Sequence, residues 1–78
     1  MNIEINNAPN IMLEICVERV RQDDKWGGPE HDDEHSVNDW ADFIRMRLSN
    51  QGNNTFRQRM IEVAALAIAA IESTDRLS

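Results

Sequence analysis

The run Met60-Ile61-Glu62-Val63-Ala64-Ala65-Leu66-Ala67-Ile68-Ala69-Ala70-Ile71 carries one charge in twelve residues, and it constrains the fold more than any other stretch. Read as a helix it is apolar all round, and such a helix must be covered on more than one side. Two other short helices can cover only part of its circumference. The sequence therefore predicts that the remaining face meets another subunit, with Ala64, Ala65, Ala67, Ala69 and Ala70 letting helices approach closely. The competing expectation is a wide core within one chain, with Ala as filler.

Size sharpens this choice. A chain of 78 residues buries only about 60% of its unfolded surface, so its core alone gives marginal stability. The single Cys16 excludes a disulfide framework; placed on an apolar helical face, it reads as a small core hydrophobe in a reducing compartment. Extra stabilisation is then expected from metal or from self-association. No charged segment leads into an apolar one at the N-terminus, and the longest apolar stretch falls short of the ~20 residues that span a bilayer. The expectation is a soluble protein of the cytoplasm, with no membrane partner. Fourteen acids against eight bases give a net charge of −6, which works against long-range attraction to nucleic acid. A small anionic ligand remains open, because Arg19, Arg21, Lys25, Arg45, Arg47, Arg57 and Arg59 group at helix ends.

The pattern predicts one all-α domain over residues 1–78, built from three helices. Residues 1–9, ending in Ala8-Pro9, read as an arm, with Asn7 or Asn10 as cap of the first helix. Ile11, Met12, Ile15, Cys16 and Val20 recur at helical spacing over about 10–25, with Glu14, Glu18, Arg21 and Gln22 on or beside the opposite face. Gly27-Gly28-Pro29 reads as a stop, and 26–36 as a polar loop. Ser36 and Asp39 form a capping pair ahead of Val37, Trp40, Ala41, Ile44 and Leu48, giving a second helix over about 37–49. Turn-rich 50–54 follows. Thr55-Phe56-Arg57-Gln58 then caps a third helix over about 56–74.

The chemistry concentrates between Glu18 and His35. His31-Asp32-Asp33-Glu34-His35 offers imidazole and oxygen donors at short spacing, yet the flanking Gly-Gly-Pro and Ser36 cap place it in a loop, and no third ligand pattern is present. A solvated acidic loop beside the positive end of the second helix competes with a metal site there. Trp40 fits the core register. Trp26 lies outside it, where an indole could stack on a base or simply cover the helix ends. No nucleophile elbow, Walker loop or dinucleotide fingerprint occurs. Glu62 is the lone charge of the apolar run and needs a partner, Arg59 or a ligand, because an unpaired buried carboxylate is costly.

Taken together, Glu18-Arg19-x-Arg21-Gln22-x-x-Lys25-Trp26-Gly27, the following His-Asp segment, and a last helix running from Arg59-Met60-Ile61-Glu62-Val63 to Ile71-Glu72-x-x-Asp75-Arg76 resemble a group of small phage-encoded proteins. These in turn are similar to the all-α nucleoside triphosphate pyrophosphatases, also called MazG-like. The resemblance runs over nearly the whole chain from residue 11 and implies a helical oligomer with a nucleotide pocket between subunits. Enzymes of that superfamily hold Mg²⁺ with E-x-x-E on one helix and E-x-x-D on a later one. Here only Asp39 and Asp42 could stand for the first pair, and Arg59 with Glu62 occupies the second, so a base replaces an acid. A guanidinium there suits direct pairing with a phosphate.

The leading expectation is a small phage-type homo-oligomer that binds a nucleotide-derived ligand without turning it over, in the cytoplasm of a bacterial host. Such a protein could sequester a host immune signal, a cyclic nucleotide or an ADP-ribose derivative. Trp26 would stack on the base; Arg21, Lys25 and Arg59 would meet phosphates; Gln22, His31, Asp32 and His35 would contact ribose or base edges. Glu18 and Glu62 complete the candidate set. No cofactor or metal is expected in this reading. One alternative is a divergent (d)NTP pyrophosphohydrolase in which Glu14, Glu18, Asp39, Asp42 and Glu62 hold Mg²⁺ and activate water. The other is an acidic protein-binding inhibitor of a host enzyme.

Overall fold

A computed structural model describes residues 7–49 and 55–78. It contains four helices, α1 (Ala8–Trp26), α2 (Gly28–Asp32), α3 (Val37–Ser49) and α4 (Phe56–Leu77), and no strand among the described residues. The all-α expectation holds, with one helix more than the sequence pattern predicts. None of the helices is long and apolar enough to cross a membrane.

Two boundaries differ from expectation because of proline. The helix α1 starts at Ala8 rather than near residue 10, with Pro9 in its first turn, where a missing N–H costs nothing. Asn7 is the N-cap residue, but its side chain makes no capping bond. At the other end Gly27 takes a left-handed φ of 106° and its N–H reaches the Asp23 carbonyl at 2.8 Å, closing α1. A side chain there would be strained, and its Cβ would lie 3.3 Å from that of His31. The polar loop expected over 26–36 then divides: Pro29 presets the backbone for a further helical turn, and α2 forms at once. The turn-rich connection falls at 50–54, outside the described residues, as does most of the N-terminal arm.

The α3 boundaries follow the sequence signal. Ser36 Oγ accepts from the Asp39 N–H at 3.2 Å while Asp39 Oδ2 accepts from the Ser36 N–H at 2.9 Å, a reciprocal capping box. Thr55 Oγ1 likewise accepts from the Gln58 N–H at 3.1 Å. The return bond is absent there, because Gln58 Nε2 donates instead to Glu62 Oε2 at 3.2 Å.

The contacts set the helix directions. Glu14 meets Arg57, Gln22 meets Glu62 and Asp33 meets Arg76, so α1 and α2 ascend alongside α4. Arg47 meets Glu62 while Trp40 packs with Leu66 and Ala69, so α3 descends. The buried apolar side chains are Trp40, Ile61, Ala65, Leu66 and Ala69, with Phe43, Ile44 and Ala70 packed against them. Four of these five belong to α4, whose full burial stabilises the fold by about 1.5–3 kcal/mol for a side chain such as Leu66. Within one chain α4 is not covered all round: Ile68 and Ile71 are exposed.

The helix α1 is turned the other way from its apolar period. Its buried residues are Glu18 and Gln22, whereas Met12, Leu13, Val17 and Val20 are each more than 60% exposed. Cys16, expected in the core, is exposed as well. The reason lies in hydrogen bonding. Gln22 Nε2 donates to the Glu62 carbonyl of α4 at 3.4 Å and to Glu18 Oε2 at 3.0 Å, so the polar stripe of α1 is the one that docks.

Candidate functional site

Because a polar stripe faces inward, the helices leave a cleft of about 390 Å³ between them. Its walls come from every helix: Arg19, Gln22, Asp23, Lys25 and Trp26 of α1, then His31 and Asp32 of α2 with His35 after it. Trp40, Phe43, Met46 and Arg47 of α3 face them, and Arg59, Leu66 and Ala69 of α4 complete the wall. The volume falls in the lower part of the range of small-molecule sites, about 300–1,000 Å³.

One end of the cleft is cationic. Lys25 Nζ lies 4.8 Å and Arg47 Cζ 5.7 Å from the centre of the Trp26 ring. Arg47 Nη1 also lies 3.2 Å from Glu62 Oε1. Arg59 is only 9% exposed, its Nε has no acceptor, and no carboxylate pairs with it among the described residues. The intrahelical pair of Arg59 with Glu62 that the sequence leaves open does not form; Glu62 engages Arg47 and Gln58 instead.

The other end is aromatic. His35 meets the edges of His31, Trp40 and Phe43 at centroid distances of 4.7, 5.2 and 4.8 Å. Beside it lies Asp32, 8% exposed, whose Oδ2 is sealed from solvent with no donor. Burial pushes its carboxyl above the ordinary carboxylate range, against the opposing pull of Arg19, His35 and Arg76. The neighbouring Asp33 is held below that range by Arg76 and Ser73, whose bonds to it are 2.7 and 2.8 Å long.

No family model, curated protein or solved structure matches the chain.

Of the ten sequence candidates, the structure brings seven to the cleft wall: Gln22, Lys25, Trp26, His31, Asp32, His35 and Arg59. The other three stand behind it. Glu18 accepts from Arg21 Nε and Nη2 at 2.7 Å each, and from Gln22, which fixes the Gln22 amide. The Arg21 bonds hold the Glu18 carboxyl low despite its burial. Glu62 positions Arg47 from behind. Trp26 is not a bare stacking platform, since two cations already attend its ring. Arg47, one of the cations grouped at helix ends in the sequence, reaches the wall, whereas Phe43 and Met46 were missed; their spacing of three on α3 was the available signal.

The carboxylates of the Mg²⁺ alternative are dispersed. Glu14 is bonded to Arg57, Glu18 to Arg21, Asp39 to the Ser36 cap, Asp42 to Arg45 and Glu62 to Arg47. No group of three or more His, Cys, Asp or Glu is placed to hold a metal ion among the described residues.

Proposed function

We propose that this chain binds a nucleotide-derived anion in the cleft and holds it without turnover. The observation that carries this reading is Arg59, a buried residue of the cleft wall whose Nε has no acceptor and which has no carboxylate partner among the described residues. Removing a charge from water without a partner is costly, and a phosphate is the group whose geometry matches a guanidinium fork. Lys25 and Arg47 at the same end give further positive charge in a molecule of net charge −6. The aromatic far end suits a base.

Holding without turnover is supported by the commitment of all five carboxylates of the enzyme alternative to partners within the protein. A tight pocket of this kind would let a phage withdraw a host nucleotide signal from circulation. A homo-oligomer is part of the same proposal. The outward Met12, Leu13, Cys16, Val17 and Val20 of α1 form a stripe that water should not cover in a chain with so small a core, and a second copy supplies a matching stripe.

The test is native mass spectrometry of the protein with nucleotides, cyclic dinucleotides and ADP-ribose derivatives, with and without Mg²⁺, followed by recovery of the released ligand. Intact ligand from the wild type, and none from Arg59→Met, supports the proposal. Hydrolysed product supports the pyrophosphohydrolase instead, and no retained ligand in any condition removes the nucleotide reading.

A further inference from the structure

The two unsatisfied buried groups of the cleft stand at opposite ends of it. Arg59 lies in the first turn of α4, whereas the Asp32 carbonyl accepts from Ser73 Oγ at 3.4 Å, fourteen residues further along the helix. That separation is about 21 Å along the α4 axis at 1.5 Å per residue, shortened by the reach of the two side chains. Leu66 and Ala69 form the wall between them. A ligand that satisfies both must be elongated, anionic at one end and a hydrogen-bond donor at the other.

We infer that the ligand is a guanine nucleotide, its phosphates at Arg59 and its base at the α2 end with the Watson–Crick edge on the Asp32 carboxylate. This inference rests on the nucleotide reading above and deepens it. An ionised carboxylate only accepts. Guanine presents two adjacent donors, N1–H and the N2 amine, which a carboxylate accepts side by side. Adenine and cytosine each present one donor beside one acceptor, and uracil flanks a single donor with two acceptors, so each sets a lone pair against a carboxylate oxygen. Burial and Asp23 work against the ionised form that this contact needs, Arg19, His35 and Arg76 work for it, and two N–H donors brought against the carboxylate favour it further. His31, His35 and Phe43 supply ring edges and faces beside it.

Isothermal titration of the full chain with GDP, IDP, ADP and 2′-deoxy-GDP tests this. IDP differs from GDP only by lacking the N2 amine, so the comparison needs no variant. A hydrogen bond to a charged group predicts that GDP binds roughly 10- to 100-fold more tightly than IDP. ADP is expected to be weaker still. Asp32→Asn replaces one acceptor by a donor in the same volume, and no described residue donates to the Oδ2 it alters; it should fold and lose the preference for GDP over IDP. Base-independent binding that is weakened by Arg59→Met overturns the guanine inference and leaves the nucleotide reading standing. A GDP preference over IDP that survives in Asp32→Asn also overturns it; 2′-deoxy-GDP, which keeps the guanine edge, is expected to bind more tightly than IDP. No binding of any of the four overturns both.

Discussion

Arg59→Met replaces a residue that is only 9% exposed and whose buried Nε finds no acceptor. Met keeps a flexible apolar stem of similar reach in the space between α4 and the cleft. What is lost is a buried donor without a partner, whose desolvation costs about 1–3 kcal/mol. What is gained is that amount of stability in the ligand-free protein. For a chain of this size 1 kcal/mol moves Tm by about 4–8 °C, so the variant should melt at least that much higher than the wild type. Far-UV circular dichroism at one fixed protein concentration reads this directly, the concentration being held because self-association would itself shift Tm. A nucleotide added in excess should then raise the wild-type Tm and leave that of Arg59→Met where it was. The pairing of higher intrinsic stability with lost binding is the mark of a residue kept strained for function. A variant that melts lower than the wild type without ligand would refute the reasoning, since Arg59 would then be a structural residue whose contacts hold α4 in place.

Three further outcomes follow from particular contacts. Burial raises the Asp32 carboxyl above its ordinary value of 3.8, so folding favours the protonated group; that contribution is intact below about pH 3.8 and is lost as pH rises through the raised value. Asp32→Asn should therefore raise the Tm of the ligand-free protein at neutral pH and bring no gain below pH 3.8, which a pH series of melts measures. Ser36→Ala removes the cap that accepts from the Asp39 N–H and should cost about 1 kcal/mol in urea-denaturation stability, with the cleft residues unchanged. Val17→Lys puts a charge in the exposed stripe of α1, where the side chain is 62% exposed and meets no core; sedimentation should show smaller assemblies with helicity retained, and unaltered sedimentation removes α1 from the interface.

The helices were legible where the signal was local. Ser36 with Asp39, and Thr55, mark the starts of α3 and α4 because a cap is a contact between neighbours in sequence. The fourth helix was hidden because Gly27-Gly28-Pro29 carries two messages: the left-handed glycine ends α1 while the proline starts α2. The facing of α1 was not legible at all. Its apolar stripe and its Glu18-Gln22 stripe both have helical spacing, and contacts with a helix some forty to fifty residues away, the Glu62 carbonyl, Arg57 and Glu72, decide between them. Of the cleft, the polar wall stood out within the run from Glu18 to His35, a mixture that no core needs. The α3 wall, Phe43, Met46 and Arg47, is ordinary amphipathic helix in sequence and becomes a wall only by packing against α4.

The inverted α1 and the unsatisfied cleft are one feature of the chain rather than two. Had α1 docked through Met12, Cys16 and Val20, the space between it and α4 would be filled by apolar side chains, and neither Gln22 nor Lys25 would reach a common wall with Arg59. Docking through Glu18 and Gln22 keeps that space open and lined with hydrogen-bonding groups, at the cost of leaving apolar surface outside. The cost is met if a second copy covers the outer stripe, because association then supplies the burial that so small a core lacks. Ligand affinity and subunit association are on this account coupled through a single helix. A change that drives Val17 and Val20 inward would close the cleft as it stabilised the lone chain, and a ligand that wedges the cleft open would favour the assembly in which those residues are covered.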